Sequence, residues 1–182
     1  TLCLTSALAL AAGAAAADMN FNRIASFATP LNMADGEDTA RETSPEIIAA
    51  TSDGMTLVYT DSPLEVLGLI DITDPRTPAP LGNIALDGAP TSGAVVGRRA
   101  YVGVNTSASY TEPSGFLAVF DIDTKEEVAR CDIGGQPDSV GVDAAGSFIA
   151  IAIENERDED LGDGRTGQLP AGDLVMIALA DN

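Results

Sequence analysis

The feature that most constrains this chain is an internal echo at a spacing of about fifty residues, a period that belongs to repeat architectures. Ile70-Asp71-Ile72-Thr73-Asp74 returns as Phe120-Asp121-Ile122-Asp123-Thr124 and, more faintly, as Ile177-Ala178-Leu179-Ala180-Asp181. Downstream of the first two copies lie Leu86-Asp87-Gly88-Ala89-Pro90 and Ile133-Gly134-Gly135-Gln136-Pro137. Upstream of each copy come a short apolar run, a glycine turn and a second run. The three turns are Ser52-Asp53-Gly54, Val96-Gly97-Arg98 and Ala144-Ala145-Gly146. Apolar, β-branched runs predict strands over 45–50, 55–60, 66–72 and 82–86, then 91–96, 99–105, 115–122 and 127–133, then 138–142, 147–154 and 173–179. Four runs per repeat are the signature of a β-propeller blade. The expected fold class is therefore all-β, with about three four-stranded blades near 44–88, 89–135 and 136–182, the last lacking its fourth strand. A β-sandwich of about eleven strands would account for the runs but not for the echo.

A ring of blades takes at least about four to close, so this sequence reads as part of a longer chain, truncated at both ends. Residues 1–17, TLCLTSALALAAGAAAA, form an uncharged apolar run ending in small residues before Asp18. They read as the apolar core and cleavage site of a signal peptide whose charged start is missing. The run is too short to span a bilayer, so the mature chain, 18–182, is expected to lack a transmembrane segment and to be periplasmic or secreted. Cys3 leaves with the signal. Cys131, in the apolar pattern VARCDIGG, is expected to be a buried small hydrophobe. The run over 21–29, FNRIASFAT, has strand character but no partner in its own unit; it is expected to complete the ring's last blade as a clasp and, without that blade, to dangle or pair improperly.

Charge removes several function classes. The chain has 182 residues, with 9 basic against 28 acidic, no histidine and a net charge of −19. Nucleic acid is an unsuitable partner, because phosphate recognition needs a basic footprint. Without histidine there is no Ser-His-Asp or Cys-His mechanism and no His-ligated metal in this stretch. Apolar residues make up 45%, enough for a core, so the acidity belongs to a folded surface.

In a propeller, the loops between second and third strands and the joints between blades emerge on one face. Here those loops lengthen from 61–65 to 106–114 and then to 155–172. Long loops on a rigid scaffold carry function. The third is the densest in chemistry. Glu154, Asn155, Glu156, Asp158, Glu159, Asp160 and Asp163 place hard oxygen donors within one short stretch, a composition suited to calcium. It lacks the spacing of an EF-hand loop, and a solvated acidic loop is the other reading. The calcium candidates are Glu154, Asn155, Glu156, Asp158, Asp160 and Asp163. Glu46, Asp138, Arg157 and Arg165 are further candidates on the same rim. Tyr59 and Tyr101 fall in strands and read as packing, whereas Tyr110 lies in a loop. No catalytic pair stands out.

The passage GFLAVFDIDTKEEVARCDIGGQPDSVGVDAAGSFIAIAIENERDED resembles secreted bacterial propellers of the YVTN type. The SPEIIAAT opening and the IENERDED…GDLVMI passage are similar to exported proteins described as alkaline-phosphatase-like or as phytase-like esterases. That resemblance implies a ring of six or seven blades and a calcium-dependent phosphoester hydrolase. In that picture Glu154, Glu156, Asp158 and Asp160 would hold metal that polarises phosphate and activates water. Two features depart from the hydrolase pattern: no cluster of basic residues is present to bind phosphate, with Arg157 and Arg165 the rim candidates, and the remaining blades, where half the site would lie, are expected outside this sequence. The leading expectation is an exported binding scaffold, non-enzymatic or of uncharacterised activity, stabilised by calcium and serving an unknown small molecule or surface partner. The hydrolase and a cell-surface interaction module are the alternatives.

Overall fold

The computed structural model describes residues 22–163 and 169–179, and eleven strands within them form three antiparallel sheets. The first holds β1 (Pro45–Ala50), β2 (Thr56–Asp61), β3 (Val66–Asp71) and β4 (Ala79–Ala85) in chain order. The second holds β5 (Ala89–Val96), β6 (Arg99–Asn105), β7 (Gly115–Asp121) and β8 (Glu127–Asp132). The third holds β9 (Pro137–Val142), β10 (Phe148–Ile153) and β11 (Asp173–Ala178). The described residues contain no α-helix. Residues 1–17, read as a signal peptide, lie outside them.

Local chemistry explains the regular up-and-down course of each sheet. Gly54, Gly97 and Gly146 take φ of 69°, 61° and 67° where the first strand of each sheet turns into the second, a conformation that costs glycine nothing. The aspartates of the repeat close the turns after the third strands. Asp71 Oδ1 accepts the Thr73 N–H, and Asp121 Oδ1 accepts those of Asp123 and Thr124. Such Asx turns replace backbone pairing where a strand must reverse. The bonds hold both carboxyls below their ordinary value. Each therefore contributes stability at neutral pH, and that contribution is lost as pH falls through the lowered folded value.

The sheets stack face to face, and parity along each strand decides what each side chain meets. Ala100, Val102, Val104, Ala118 and Phe120 pack with Val58, Leu67, Leu69 and Ile84 of the first sheet. The intervening Tyr101 and Leu117 pack the other way, with Val140, Ile149, Ile151 and Ile153 of the third. The central sheet is thus buried on both faces, which is why β6 and β7 are nearly continuous apolar runs. Among the first strands, β5 neighbours both β1 and β9. These are three successive blades of a β-propeller. Polar links reinforce the joints: Ser62 Oγ donates to the Pro90 carbonyl at 2.6 Å, and Ser92 Oγ accepts the Val140 N–H at 2.9 Å.

Residues 22–28 pair with no strand, the state expected of the clasp segment without the ring's last blade; the chain then enters a 3₁₀ turn, Thr29–Asn32, with proline at its start. Phe21 lies outside the described residues. The segment is held by Asn32, whose amide fills the irregularity where β3 and β4 slip register between Leu69 and Ile70. Asn32 Nδ2 donates to the Leu69 carbonyl at 2.9 Å and to the Tyr59 hydroxyl at 3.1 Å, and its Oδ1 accepts the Gly82 N–H at 3.0 Å. Cys131 is exposed, not buried. It lies on β8, the outermost strand of its blade, where all six residues are exposed because the sheets meet nearer the axis.

Replacing Asn32 with alanine leaves the Gly82 N–H and Leu69 carbonyl unpaired in a buried place, at a cost of about 2 kcal/mol. Urea unfolding should show that loss, with a smaller one for Tyr59→Phe. Equal midpoints for Asn32→Ala and the parent would overturn the docking of this segment.

Candidate functional site

Two loops of neighbouring blades build a cleft of about 830 Å³ lined by Tyr110 and by the acidic run that follows β10. The 106–114 loop continues its hairpin, with Thr106 N–H bonded to the Ser114 carbonyl at 3.0 Å and Ala108 N–H to that of Glu112 at 3.2 Å. Its tip presents Tyr110, 48% exposed, to the cleft. Glu154, Asn155, Glu156, Arg157, Asp158, Glu159 and Asp160 form the facing wall, with Ala171 and Gly172 at its base.

Asn155 fixes the root of that wall. Its backbone sits at φ 49°, its Oδ1 accepts the Gln136 N–H at 3.0 Å, and its Nδ2 donates to the Ala171 carbonyl at 3.0 Å. One amide therefore ties the joint before β9 to both ends of the 155–172 loop. The approach is close enough that a Cβ on Gly135 would lie 2.5 Å from Asn155 Oδ1, which accounts for glycine there. The Glu154 N–H bonds the Gln136 carbonyl at 3.0 Å, so the acidic wall starts from a rigid corner.

That corner brings together carboxylates that the sequence nominated separately. Burial comes first, then the charges of Asp138 and Glu156, in pushing the Glu154 carboxyl above its ordinary value. A raised acid is one whose charged form the folded state disfavours, so this group detracts from stability at neutral pH and ceases to as pH falls through its folded value. Farther along, Asp158 Oδ1 accepts the Asp160 N–H at 2.9 Å, and Asp163 lies in the turn beyond. Among the described residues no three acidic or thiol groups converge closely enough to hold a metal ion. Of the acidic residues, Asp138 and Glu156 lie near enough to Glu154 for their charges to act on its carboxyl. Arg157 also lines the cleft, while Arg165 lies outside the described residues.

Glu46 stands apart. It lies on β1 and lines a second depression, of about 460 Å³, between residues 24–29 and the apolar face of the first sheet. Tyr59 and Tyr101 are buried in packing, at 3% and 7% exposure. Sequence reasoning missed the clamping role of Asn155 and the turning of Tyr110 toward the acidic wall. The first had a signal in Gln136-Pro137, since a joint entering an inner strand needs an acceptor for its last free N–H. The second had none, because it depends on how neighbouring blades sit.

Known structures agree with this architecture. The chain is similar to Kuenenia stuttgartiensis hydrazine synthase, with 19% identity and a TM-score of 0.52 over 61% of this chain and 30% of that one. It is similar to a luciferin-regenerating enzyme, with 12% identity and a TM-score of 0.54 over 75% and 45%. A functionally unknown protein from Desulfotomaculum acetoxidans gives 12% identity and a TM-score of 0.50 over 62% and 34%. The chain thus spans less than half the length of each, and at these identities the likeness shows fold alone. No curated protein matches the sequence. The model of one family, described as the choice-of-anchor I domain, matches residues 46–182, which covers all three blades. By that match the chain belongs to the choice-of-anchor I domain family.

Proposed function

We propose that this chain is part of an exported β-propeller binding module whose ligand face is the acidic cleft, with calcium as the ion that face takes. The observation that carries the reading is the corner at Glu154, an exposed residue whose carboxyl is raised by partial burial and by the charges of Asp138 and Glu156. Crowded carboxylates are stabilised by a cation placed among them, and calcium accepts such oxygen ligands in irregular geometry. The apolar run at 1–17 and membership of a choice-of-anchor family support display at, or release from, the cell surface. No helix among the described residues is long and apolar enough to cross a membrane. The cleft suits a small cationic or calcium-bridged ligand, and Tyr110 offers an aromatic face beside the carboxylates.

A calcium-dependent phosphoester hydrolase is the rival, and the same cleft would serve it. There the ion would polarise phosphate and activate water, with Arg157 as the cation lining the cleft. The two readings part on turnover.

Calcium at about a hundred times its dissociation constant should stabilise the protein by about 3 kcal/mol, a rise in Tm of roughly 5–10 °C for a domain of this size. Glu154→Gln combined with Glu156→Gln should remove most of that rise. A rise equal to the parent's would take the Glu154 corner out of consideration. Release of phosphate from p-nitrophenyl phosphate separates the readings: calcium-dependent turnover lost in the double variant supports the hydrolase, and stabilisation without turnover supports the binding module.

A titration of the Glu154 carboxyl by carbon-13 NMR gives an independent check. Without calcium its midpoint should lie above that of an exposed glutamate, and calcium should move it down as the charged form gains a partner. A midpoint insensitive to calcium would place the ion elsewhere.

A further inference from the structure

Asp61 is the one charged side chain that is fully buried among the described residues, with 0% exposure. It ends β2, one residue before Ser62, whose hydroxyl bonds the Pro90 carbonyl of the second blade. Its Oδ1 accepts the Ser44 N–H at 3.1 Å and the Leu64 N–H at 3.3 Å. Its Oδ2 is equally enclosed and has no hydrogen-bond partner. The ion pairs of Arg98 and Arg130 engage other carboxylates. An unpaired carboxylate oxygen taken out of water is strongly unfavourable, and folded proteins give such charges a partner.

The third blade contains the neutral version of this device. Asn155 Oδ1 accepts the N–H of Gln136, the residue before Pro137, as Asp61 Oδ1 accepts that of Ser44, the residue before Pro45. The second amide atom of Asn155 is a donor and meets the Ala171 carbonyl. In Asp61 the second atom is an acceptor, so whatever completes the clamp there must carry positive charge or a donor. The next residue's hydroxyl, Ser62 Oγ, donates to the Pro90 carbonyl and keeps its lone pairs.

We propose that Asp61 Oδ2 is a ligand of a small hard cation that staples the joint between the first and second blades, with hydroxyl and backbone oxygens completing its shell. Asp61 does not line the acidic cleft, so this site is separate from the one above and does not rest on it. The staple would fix the angle between the blades that the cleft's own blades continue.

The test uses the full chain carrying Glu154→Gln and Glu156→Gln, which silences the cleft, with and without Asp61→Asn. Melting is followed in calcium, magnesium and sodium chloride in turn, after chelation. One of these ions should raise the Tm of the double variant by several degrees, and Asp61→Asn should abolish that rise. An equal rise in the triple variant, or no response of the double variant to any of the three, overturns the proposal. Should Asp61→Asn fail to fold, the ion content of the chelated and re-loaded double variant decides instead. About one equivalent of ion per chain retained through gel filtration supports the staple, and none overturns it. Failure of the cleft reading would appear separately, as a parent protein whose calcium response matches that of the double variant.

Discussion

Burial of the central sheet on both faces is the constraint on which the rest of the structure depends. A single blade has two apolar faces and can cover neither. The first core places Val102, Val104, Ala118 and Phe120 against Leu67 and Leu69. The second places Tyr101 and Leu117 against Ile149 and Ile151. A shift of register by one residue in β6 would exchange these sets between neighbours of different shape, so the packing fixes the register. The flanking sheets have one face covered and one less so. On the third, Leu174 and Met176 are 71% and 60% exposed. On the first, residues 24–29 and the 3₁₀ turn lie over the free face, with Asn32 as the peg.

The polar design follows from that packing. Sheets stacked by apolar faces still leave backbone groups unpaired wherever one blade hands over to the next. The chain meets this with short side chains at strand ends: Asp61 for Ser44, Asn155 for Gln136, Ser62 for Pro90 and Ser92 for Val140. Exposed charges supply further links between elements. Arg98 links Asp123 to Asp53 and Thr56 of the preceding blade, and Arg130 joins Glu127 and Asp87 while lying 4.0 Å above the Phe116 ring. Exposed pairs of this kind each contribute at most about 1 kcal/mol, so they orient the hairpins more than they hold them. The buried clamps carry more, and they sit beside the loops that form the cleft.

Strand positions were legible because each strand is a short β-branched run bounded by glycine or an aspartate turn, and both signals are local. β4 began earlier than expected, at Ala79, because the slip opposite Gly82 lets Pro80 pair with Ile70. That pairing depends on Asn32, fifty residues away in sequence from Gly82. Residues 21–29 looked like a strand for the same local reasons, yet those described lack a partner strand and follow the surface of the first blade. Cys131 kept an apolar neighbourhood in sequence but lies at the rim of its blade, where alternation no longer implies burial. At the site, the acidic run was visible as composition. Its meeting with Tyr110 and Asp138 was not, since these residues come from three separate segments.

By itself the sequence determined the all-β class, the repeat of about fifty residues, the turns and the acid-rich loop, because periodicity, turn chemistry and charge act over a few residues. Only the tertiary structure decided which faces are covered, that Asn155 and Asp61 clamp the joints, and that Glu154 shares its corner with Asp138 and Glu156. Those outcomes depend on one sheet lying against the next, and the energy that selects them comes from apolar area buried between segments far apart in the chain.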